Sequence, residues 1–560
     1  MARKIMGGVQ DFSKLREGGF FYVDKTSFIR QWWSTEQATD DVSLILRPRR
    51  FGKSLLLSTV EQFFSTRYAN RADLFEGLEV WKDGQFRAIQ GTWPVIFLSL
   101  AAVKGKDFAT QREQIVRQIV RLFHAFQDLN TPEHLNPEEQ KQFSSMTVDM
   151  SDAAFFESLN FLCELLHRRY GKKAIILLDE YDTPLQEAWV EGFWPEMVKF
   201  MRGIFNATFK SNPYLQRALL TGITRVSRES MFSDLNNICV YSTTSPHFTT
   251  CCGFTEEEVF AALDEYNLTD REGVRTMYDG YTFGTTHGIY NPWSIVSYLK
   301  DPRLIAWWAN TSSNALAGKL VREGSPELKQ DFMTLLEGGS ISSRIDEQIV
   351  YDQLDDDASI WSLLLASGYL KIDNYDIKSG VYTLRLTNGE VRRAMSGLVA
   401  KWFSKSGGAY GNFLKALMLG DLDFMNDYMN DIATSCFSSF DTGGTVEKSS
   451  PERFYHGFVL GLLVDLREDY ILTSNRESGL GRYDVMLEPR DPSRHDAFIF
   501  EFKVHRPKKE ASLEDTVAAA LAQIEAKGYA RQLIERGIPA VQIRKYGFAF
   551  RGKDVLIGQA

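Results

Sequence analysis

VSLIL at residues 42–46 runs directly into RPRRFGKS at 47–54, which runs into LLLSTVEQFFSTRY at 55–68. A short apolar run, a basic glycine-containing turn and a stretch with helical spacing read as strand, loop and helix. The phosphate-cradling pattern GxxxxGK[ST] belongs at such a junction. Its eight places hold Arg47, Pro48, Arg49, Arg50, Phe51, Gly52, Lys53 and Ser54, with Arg47 where the first glycine would stand. Gly52 lets the backbone turn closely around phosphates, and the amides opening the helix point at the anion. On this reading Arg49, Arg50, Phe51 and Leu55 complete the nucleotide-binding loop. Lys53 reaches the β- and γ-phosphates of a nucleoside triphosphate, and Ser54 ligates Mg²⁺. A lone GKS would equally describe a basic turn before a helix.

Three more apolar runs alternate with helical spacing: GTWPVIFLSL at 91–100, AIILLDEYD at 174–182 and LQRALLTGITR at 215–225, with helices over 108–127 and 153–170 between them. That alternation predicts a parallel sheet covered on both faces. Asp179 and Glu180 end the third run. There Asp179 is expected to hold Mg²⁺ through water and Glu180 to polarise the attacking water as a general base. A strand-ending acidic pair by itself is often solvated loop charge; its value here comes from the phosphate loop. Thr221 or Thr224, ending the fourth run, is the candidate to sense the γ-phosphate. Arg225 or Arg228 would bring positive charge to the transition state. An arginine acting across a subunit contact requires a homo-oligomer; one acting in cis does not.

Outside this module the chain changes texture. The 560 residues exceed what one hydrophobic core supports, so several domains are expected: 1–245, 246–405, a connecting stretch 406–450, and 451–560. The second is mostly helical. GFTEEEVFAAL opens one of its helices on Thr255, and the strand pair YLKIDN and YTLRLTN suggests a small β-wing, a winged-helix-like form. Helices over 411–435 and a Ser/Gly/Thr-rich loop at 438–452 lead to a tail of mixed α/β texture. A net charge of −9 excludes a bulk nucleic-acid coat but not a local basic face, and KVHRPKKE at 503–510 is the clearest basic cluster. Five cysteines without paired metal spacing suit a reducing, cytoplasmic setting. Neither a signal peptide nor a membrane-spanning run is seen, so no membrane partner is expected.

The tail carries a second chemical constellation. Asp484 lies in GRYDVMLEP; Glu501 and Lys503 lie two apart in AFIFEFKV and so share one strand face. Phe498, Phe500 and Phe502 occupy the opposite face. An acidic pair with a lysine on adjacent strands can hold a divalent cation and steady charge at phosphorus; such a pattern in isolation is usually a solvated strand face. Gln523 on the following helix could bond the site's water or phosphate. Glu452, opening the helix ERFYHGFVLGLL, is a further candidate metal ligand, and it is also the acid a helix N-terminus favours. Tyr529 is a candidate neighbour of the site.

Taken in order, long strings run through the chain: FYVDKTSFI (21–29), RPRRFGKSLLLS (47–58), LLDEYDTPL (177–185), TGITRVSRESMFSDLNNI (221–238), YDGYTFG (278–284), YNPWSIVSYL (290–299), LLASGYLK (364–371), ERFYHGFVLGLL (452–463), RESGLGRYDVML (476–487) and FEFK (500–503). With these the chain resembles prokaryotic proteins that join an AAA-ATPase-like domain to a C-terminal PD-(D/E)xK nuclease-superfamily domain. TNGE at 387–390 stands where a proline-containing PNxE string is expected. The resemblance implies a P-loop NTPase sheet flanked by helices and a restriction-endonuclease-like α/β tail. It places Asp484, Glu501 and Lys503 at the core of the nuclease fold, with Gln523 on its helix. The functional expectation is an ATP-regulated, Mg²⁺-dependent nuclease acting on DNA or RNA; a role in defence against mobile DNA rests on architecture alone. The alternative is an ATP-dependent assembly switch that binds nucleic acid without cleaving it. A motor using continuous ATP turnover has no helicase-like motif array behind it.

Overall fold

The computed structural model describes residues 2–34, 41–225, 235, 237–308, 326–336, 338–346, 357–403, 409–436, 459, 463, 466, 469–474, 477–478, 481–482, 484–507 and 509–560. The chain divides into two compact units, Met1–Leu316 with Ser340–Val391, and Ala317–Gly339 with Arg392–Ala560. The domain limits read from sequence texture, at 246, 406 and 451, are a different division from this one by contact.

The first unit is organised by β1 (Val42–Leu46), β2 (Val95–Ser99), β3 (Ala174–Asp179), β4 (Leu215–Gly222) and β5 (Ile238–Tyr241), in the order β2-β3-β4-β1-β5 and parallel throughout. Every residue of β1 and β3 is buried, which is why both strands read as apolar runs, interrupted only by Ser43, whose hydroxyl accepts from Trp32 Nε1 at 3.1 Å, and by Asp179 at the end of β3. Because β4 lies between β1 and β3, Ile45 pairs with Thr221 and Leu178 with Leu220. All strands run the same way, so the loops after β1, β3 and β4 leave the sheet along one edge, where open α/β sheets bind ligands.

The helix Lys53–Phe64 follows β1 at once. Its N-cap is Gly52 at φ 90°, and no side chain caps its first amides. Asp107 and Ser151 cap the helices Phe108–Ala125 and Asp152–Tyr170. An aromatic-rich core including Phe12, Phe28, Trp32, Phe63, Phe64 and Phe75 closes one side of the sheet.

Beyond the parallel sheet, β6 (Phe254–Thr255), β7 (Tyr281–Phe283) and β8 (Thr286–Tyr290) form a small antiparallel sheet in the order β6-β8-β7. Thr255 and Glu258 make the reciprocal capping box that starts the helix Glu256–Glu265. Asn291 caps the helix Pro292–Lys300. The wing is present as β9 (Ile341–Ser343), β10 (Leu370–Asp376) and β11 (Val381–Leu386), in the order β10-β11-β9.

The second unit holds β12 (Tyr470–Ser474), the hairpin β13 (Glu477–Ser478) and β14 (Gly481–Arg482), then β15 (Val485–Pro489), β16 (Ala497–Val504), β17 (Ile543–Arg551) and β18 (Asp554–Gln559). The sheet order is β12-β15-β16-β17-β18, with only β16 and β17 parallel. Phe498, Phe500 and Phe502 pack with Tyr546, Phe548 and Phe550 on one face, while Ile499 packs with Ile524 and Leu533 on the other. The helix Leu513–Lys527 ends at Gly528 in the left-handed region, and a second short helix, Arg531–Glu535, follows it. The loop at 438–452 and most of the helix at 452–466 lie outside the described residues. Among the described residues no helix is long and apolar enough to cross a membrane, and Cys163, Cys239, Cys251 and Cys252 are free thiols.

Candidate active sites

The phosphate loop has an unusual anchor. Arg47, at the place of the missing glycine, is fully buried and donates to the carbonyls of Leu46, Tyr241, Ser242 and Phe248 at 2.7 to 3.0 Å. Its guanidinium also lies over the Phe283 ring, 4.6 Å from the centroid. Arg47 is therefore a peg that fixes the root of the loop against β5 and the segment after it. The loop then rises through Arg50 at φ 64° and Gly52 at φ 90°. Arg49 donates to Gln186 Oε1 at 3.0 Å, and the Arg50 guanidinium stacks on Trp293 at 4.8 Å. Lys53 Nζ caps the loop's own carbonyls, Arg47 at 2.9 Å and Pro48 at 3.0 Å. Burial holds its pKa below the ordinary lysine value, against the pull of Glu180, Asp182 and Asp179.

Asp179, at the end of β3, is 3% exposed. Thr221 donates to its Oδ1 at 2.7 Å and the Ser54 hydroxyl bonds the same carboxylate. Burial raises the Asp179 pKa, and those two bonds oppose the rise. Glu180 follows at φ 51°; its amide donates to Thr221 Oγ1 at 3.4 Å, and its carboxylate accepts from Thr183 at 3.2 Å. Loop, acidic pair and β4 thus meet at Thr221.

Thr224 is turned elsewhere. Its amide and hydroxyl donate to Asp182 Oδ2 at 2.9 and 3.1 Å, joined by the Ile223 amide at 2.8 Å. Of the two threonines the sequence offers as a phosphate sensor, the one in contact with Asp179 is Thr221, and Thr224 serves the turn after β4. Asp182 escaped the sequence reading. Its burial and three donors mark it as the acid that ties the turn after β4 to the turn after β3, and burial raises its pKa. Its only sequence signal is the spacing DEYD, three residues beyond Asp179. Arg225 follows that turn, while Arg228 lies outside the described residues. The loop opens on a cavity of about 460 Å³ lined among others by Arg50, Lys53, Glu180, Asp182, Gln186 and Trp293, a volume in the range of small-molecule sites.

In the second unit the helix Leu513–Lys527 lies over β16 and brings Gln523 onto two site residues at once. Lys503 Nζ donates to Gln523 Oε1 at 2.7 Å, and Gln523 Nε2 donates to Glu501 Oε1. Gln523 Nε2 also reaches the Tyr529 hydroxyl at 3.3 Å. Asp484 precedes β15 and its Oδ2 accepts from the Phe502 amide at 2.8 Å, beside Glu501 in sequence. Burial raises the Tyr529 pKa, and both Glu501 and Asp484 add to the rise, so the two carboxylates act on one phenol. Asp484, Glu501, Lys503, Gln523 and Tyr529 therefore form one cluster. Glu452, the further acid, lies outside the described residues. Among the described residues no group of three or more His, Cys, Asp or Glu converges as a metal site.

Residues 6–232 match the family model for a predicted AAA-ATPase, and residues 450–560 match that of the PD-(D/E)XK nuclease superfamily. The chain joins an AAA-ATPase-like, nucleotide-binding domain to a PD-(D/E)XK nuclease-superfamily domain. It is 27% identical over 565 residues to a protein of Azotobacter chroococcum mcd 1 described as an uncharacterized protein in the vnfD 5' region, covering 96% of this chain and 95% of that one. Among solved structures it matches the Aeropyrum pernix ORC2 protein, in ADPNP and ADP complexes, at 13% identity and a TM-score of 0.26, covering 67% of this chain and 93% of that one.

Proposed function

We propose that this protein binds and hydrolyses ATP with Mg²⁺ in its first unit, and that nucleotide state regulates a Mg²⁺-dependent phosphodiesterase site in its second unit that acts on DNA or RNA. The observation that carries the reading is the hydrogen-bonded set Ser54, Asp179 and Thr221, with Glu180 attached to it. A hydroxyl and a carboxylate bonded to each other are the hard oxygen donors Mg²⁺ takes, so these residues fit the ion. Mg²⁺, when bound there, supplies charge neutralisation between the phosphates. Lys53 exchanges the Arg47 and Pro48 carbonyls for phosphate oxygens. The amides opening the helix at Lys53 face the anion without a side-chain cap competing for them. Glu180 accepts a proton from the attacking water, and Thr221 holds Asp179 in place while charge moves.

In the tail, Asp484 and Glu501 supply two carboxylates. That suits Mg²⁺, which is commonly held by one or two carboxylates with water and substrate phosphate filling the rest. Lys503 places a positive charge next to them and Gln523 orients it. An arginine after β4, Arg225 or Arg228, completes the triphosphate site in cis or from a second copy of the chain. The second reading, an assembly switch that binds nucleic acid without cutting it, is favoured by Gln523, which closes Glu501 and Lys503 on one another.

ATP binding and turnover separate cleanly by variant. Lys53→Ala is expected to lose ATP binding, and Glu180→Gln to keep binding and lose turnover by at least about a hundredfold. Equal turnover in wild type and Glu180→Gln would refute the assignment. An ATP-dependent change in oligomer size, with no cleavage under any condition, would instead support the switch.

A further inference from the structure

One buried carboxylate in the first unit lies outside the chemistry above. Glu390 is fully buried, yet it stands just inside the helix that begins at Gly389. One of its oxygens accepts from Ser294 Oγ at 2.7 Å and the other from the Trp308 amide. The Trp307 amide bonds it as well. Ser294 sits in the first turn of the helix Pro292–Lys300, which Asn291 caps. Asn291 Nδ2 and Trp308 Nε1 both donate to a single acceptor, the carbonyl of Arg49 in the phosphate loop, at 3.3 and 3.1 Å. Asn291, Ser294, Trp308 and Glu390 are all buried. Trp293, on the same helix turn, carries the Arg50 guanidinium.

We infer that Glu390 is a positioning residue for the phosphate loop, holding in register the two donors that fix the Arg49 carbonyl. The inference rests on that loop being the nucleotide site. Peptide planarity makes the effect local. The Arg49 carbonyl and the Arg50 amide belong to one rigid plane and point opposite ways, so pinning the first aims the second. Arg50 needs such support, because a residue with a Cβ keeps φ 64° only where its surroundings over-determine it. The donors sit 242 and 259 residues along the chain from Arg49, and Glu390 binds the backbone of one and the helix of the other. Loop geometry is thereby made dependent on Asn291, Trp308 and Glu390, all far from Arg49 along the chain.

Hydrogen exchange on the nucleotide-free full-length protein tests this without any assumption about ATP. Trp308→Phe removes the indole donor and keeps the amide that reaches Glu390. Glu390→Gln keeps an acceptor in place, and Glu390→Ala removes it. Exchange over residues 48–56 is expected to rise about fivefold or more in Trp308→Phe and Glu390→Ala, the change one ordinary hydrogen bond implies. Glu390→Gln should rise less, and β3 and β4 should be unchanged. Unaltered loop exchange in Trp308→Phe, or exchange in Glu390→Ala that rises across the whole unit alike, overturns the inference. Affinity for a fluorescent ATP analogue gives a second readout. The Trp308→Phe, Glu390→Ala double variant should bind about as well as Glu390→Ala alone, and additive losses would contradict action through Trp308. Absence of analogue binding in the wild type would count against the proposed function and leave the exchange result to decide this one.

Discussion

Thr221→Val isolates the contact on which the triphosphate site converges. The change keeps the shape of a fully buried residue at the centre of a parallel sheet and removes its hydroxyl. Two bonds go with it: the 2.7 Å donation to Asp179 Oδ1 and the 3.4 Å acceptance from the Glu180 amide. The second is long and contributes little. The first is made to a buried carboxylate and is worth about 1.5–3 kcal/mol. Asp179 keeps its bond to Ser54 but is held from one side only. The same energy expressed in the transition state is roughly a 10- to 150-fold fall in ATP turnover. Nucleotide affinity should stay within about threefold, because Lys53 and the loop backbone are untouched. The assay is steady-state phosphate release at saturating ATP, paired with ATP-analogue titration and a urea melt to establish folding. Thr221→Ser, which restores the donor, should recover most of the loss. Turnover equal to wild type in a folded Thr221→Val protein would refute the role given to this hydroxyl, as would a matching loss of affinity.

Three further outcomes follow from the geometry. Arg47→Gly, which restores the usual glycine of the loop pattern, should weaken the protein by about 3 kcal/mol or more in urea unfolding, because four carbonyls lose a buried partner. Burial pushes the Glu390 pKa from 4.5 up to about 7. A carboxyl raised on folding gives stability that is complete below about pH 4.5 and is lost as the pH rises through about 7, some 3 kcal/mol in all. Urea midpoints of wild type measured from pH 4.5 to 7.5 should therefore fall relative to those of Glu390→Gln across that window. Gln523→Leu removes the bridge between Lys503 and Glu501 and should lower nucleic-acid cleavage at least about tenfold, read on labelled strands, with a urea melt establishing that the variant is folded.

The sheet of the first unit was legible because β1 and β3 are buried on both faces and are apolar along their length but for Ser43 in β1 and Asp179 at the end of β3. The edge strand β5 was not: ICVY is partly exposed and lies among polar residues. The break at Gly528 was open to reading, since glycine ends helices in the left-handed region, yet the apolar spacing carries straight across it. The acids, lysines and glycine of both sites could be chosen from motif and strand ending. Their partners could not. The carbonyls that Arg47 holds beyond β1 lie 194, 195 and 201 residues away, and Asp182 finds its donors 41 and 42 residues on. No local pattern encodes such pairings. Thr221 and Thr224 look alike in TGIT, and only the register of β4 against β3 separates them.

The central claim is that ATP in the first unit governs phosphodiester cleavage in the second. Its most direct test incubates the full-length protein with Mg²⁺ and end-labelled single- and double-stranded DNA and RNA, with and without ATP, beside Lys53→Ala and Lys503→Ala. The expected result is cleavage of at least one substrate by the wild type that depends on ATP, is deaf to ATP in Lys53→Ala, and is absent in Lys503→Ala. Cleavage in Lys503→Ala equal to the wild-type signal, or wild-type cleavage indifferent to ATP, would contradict the account.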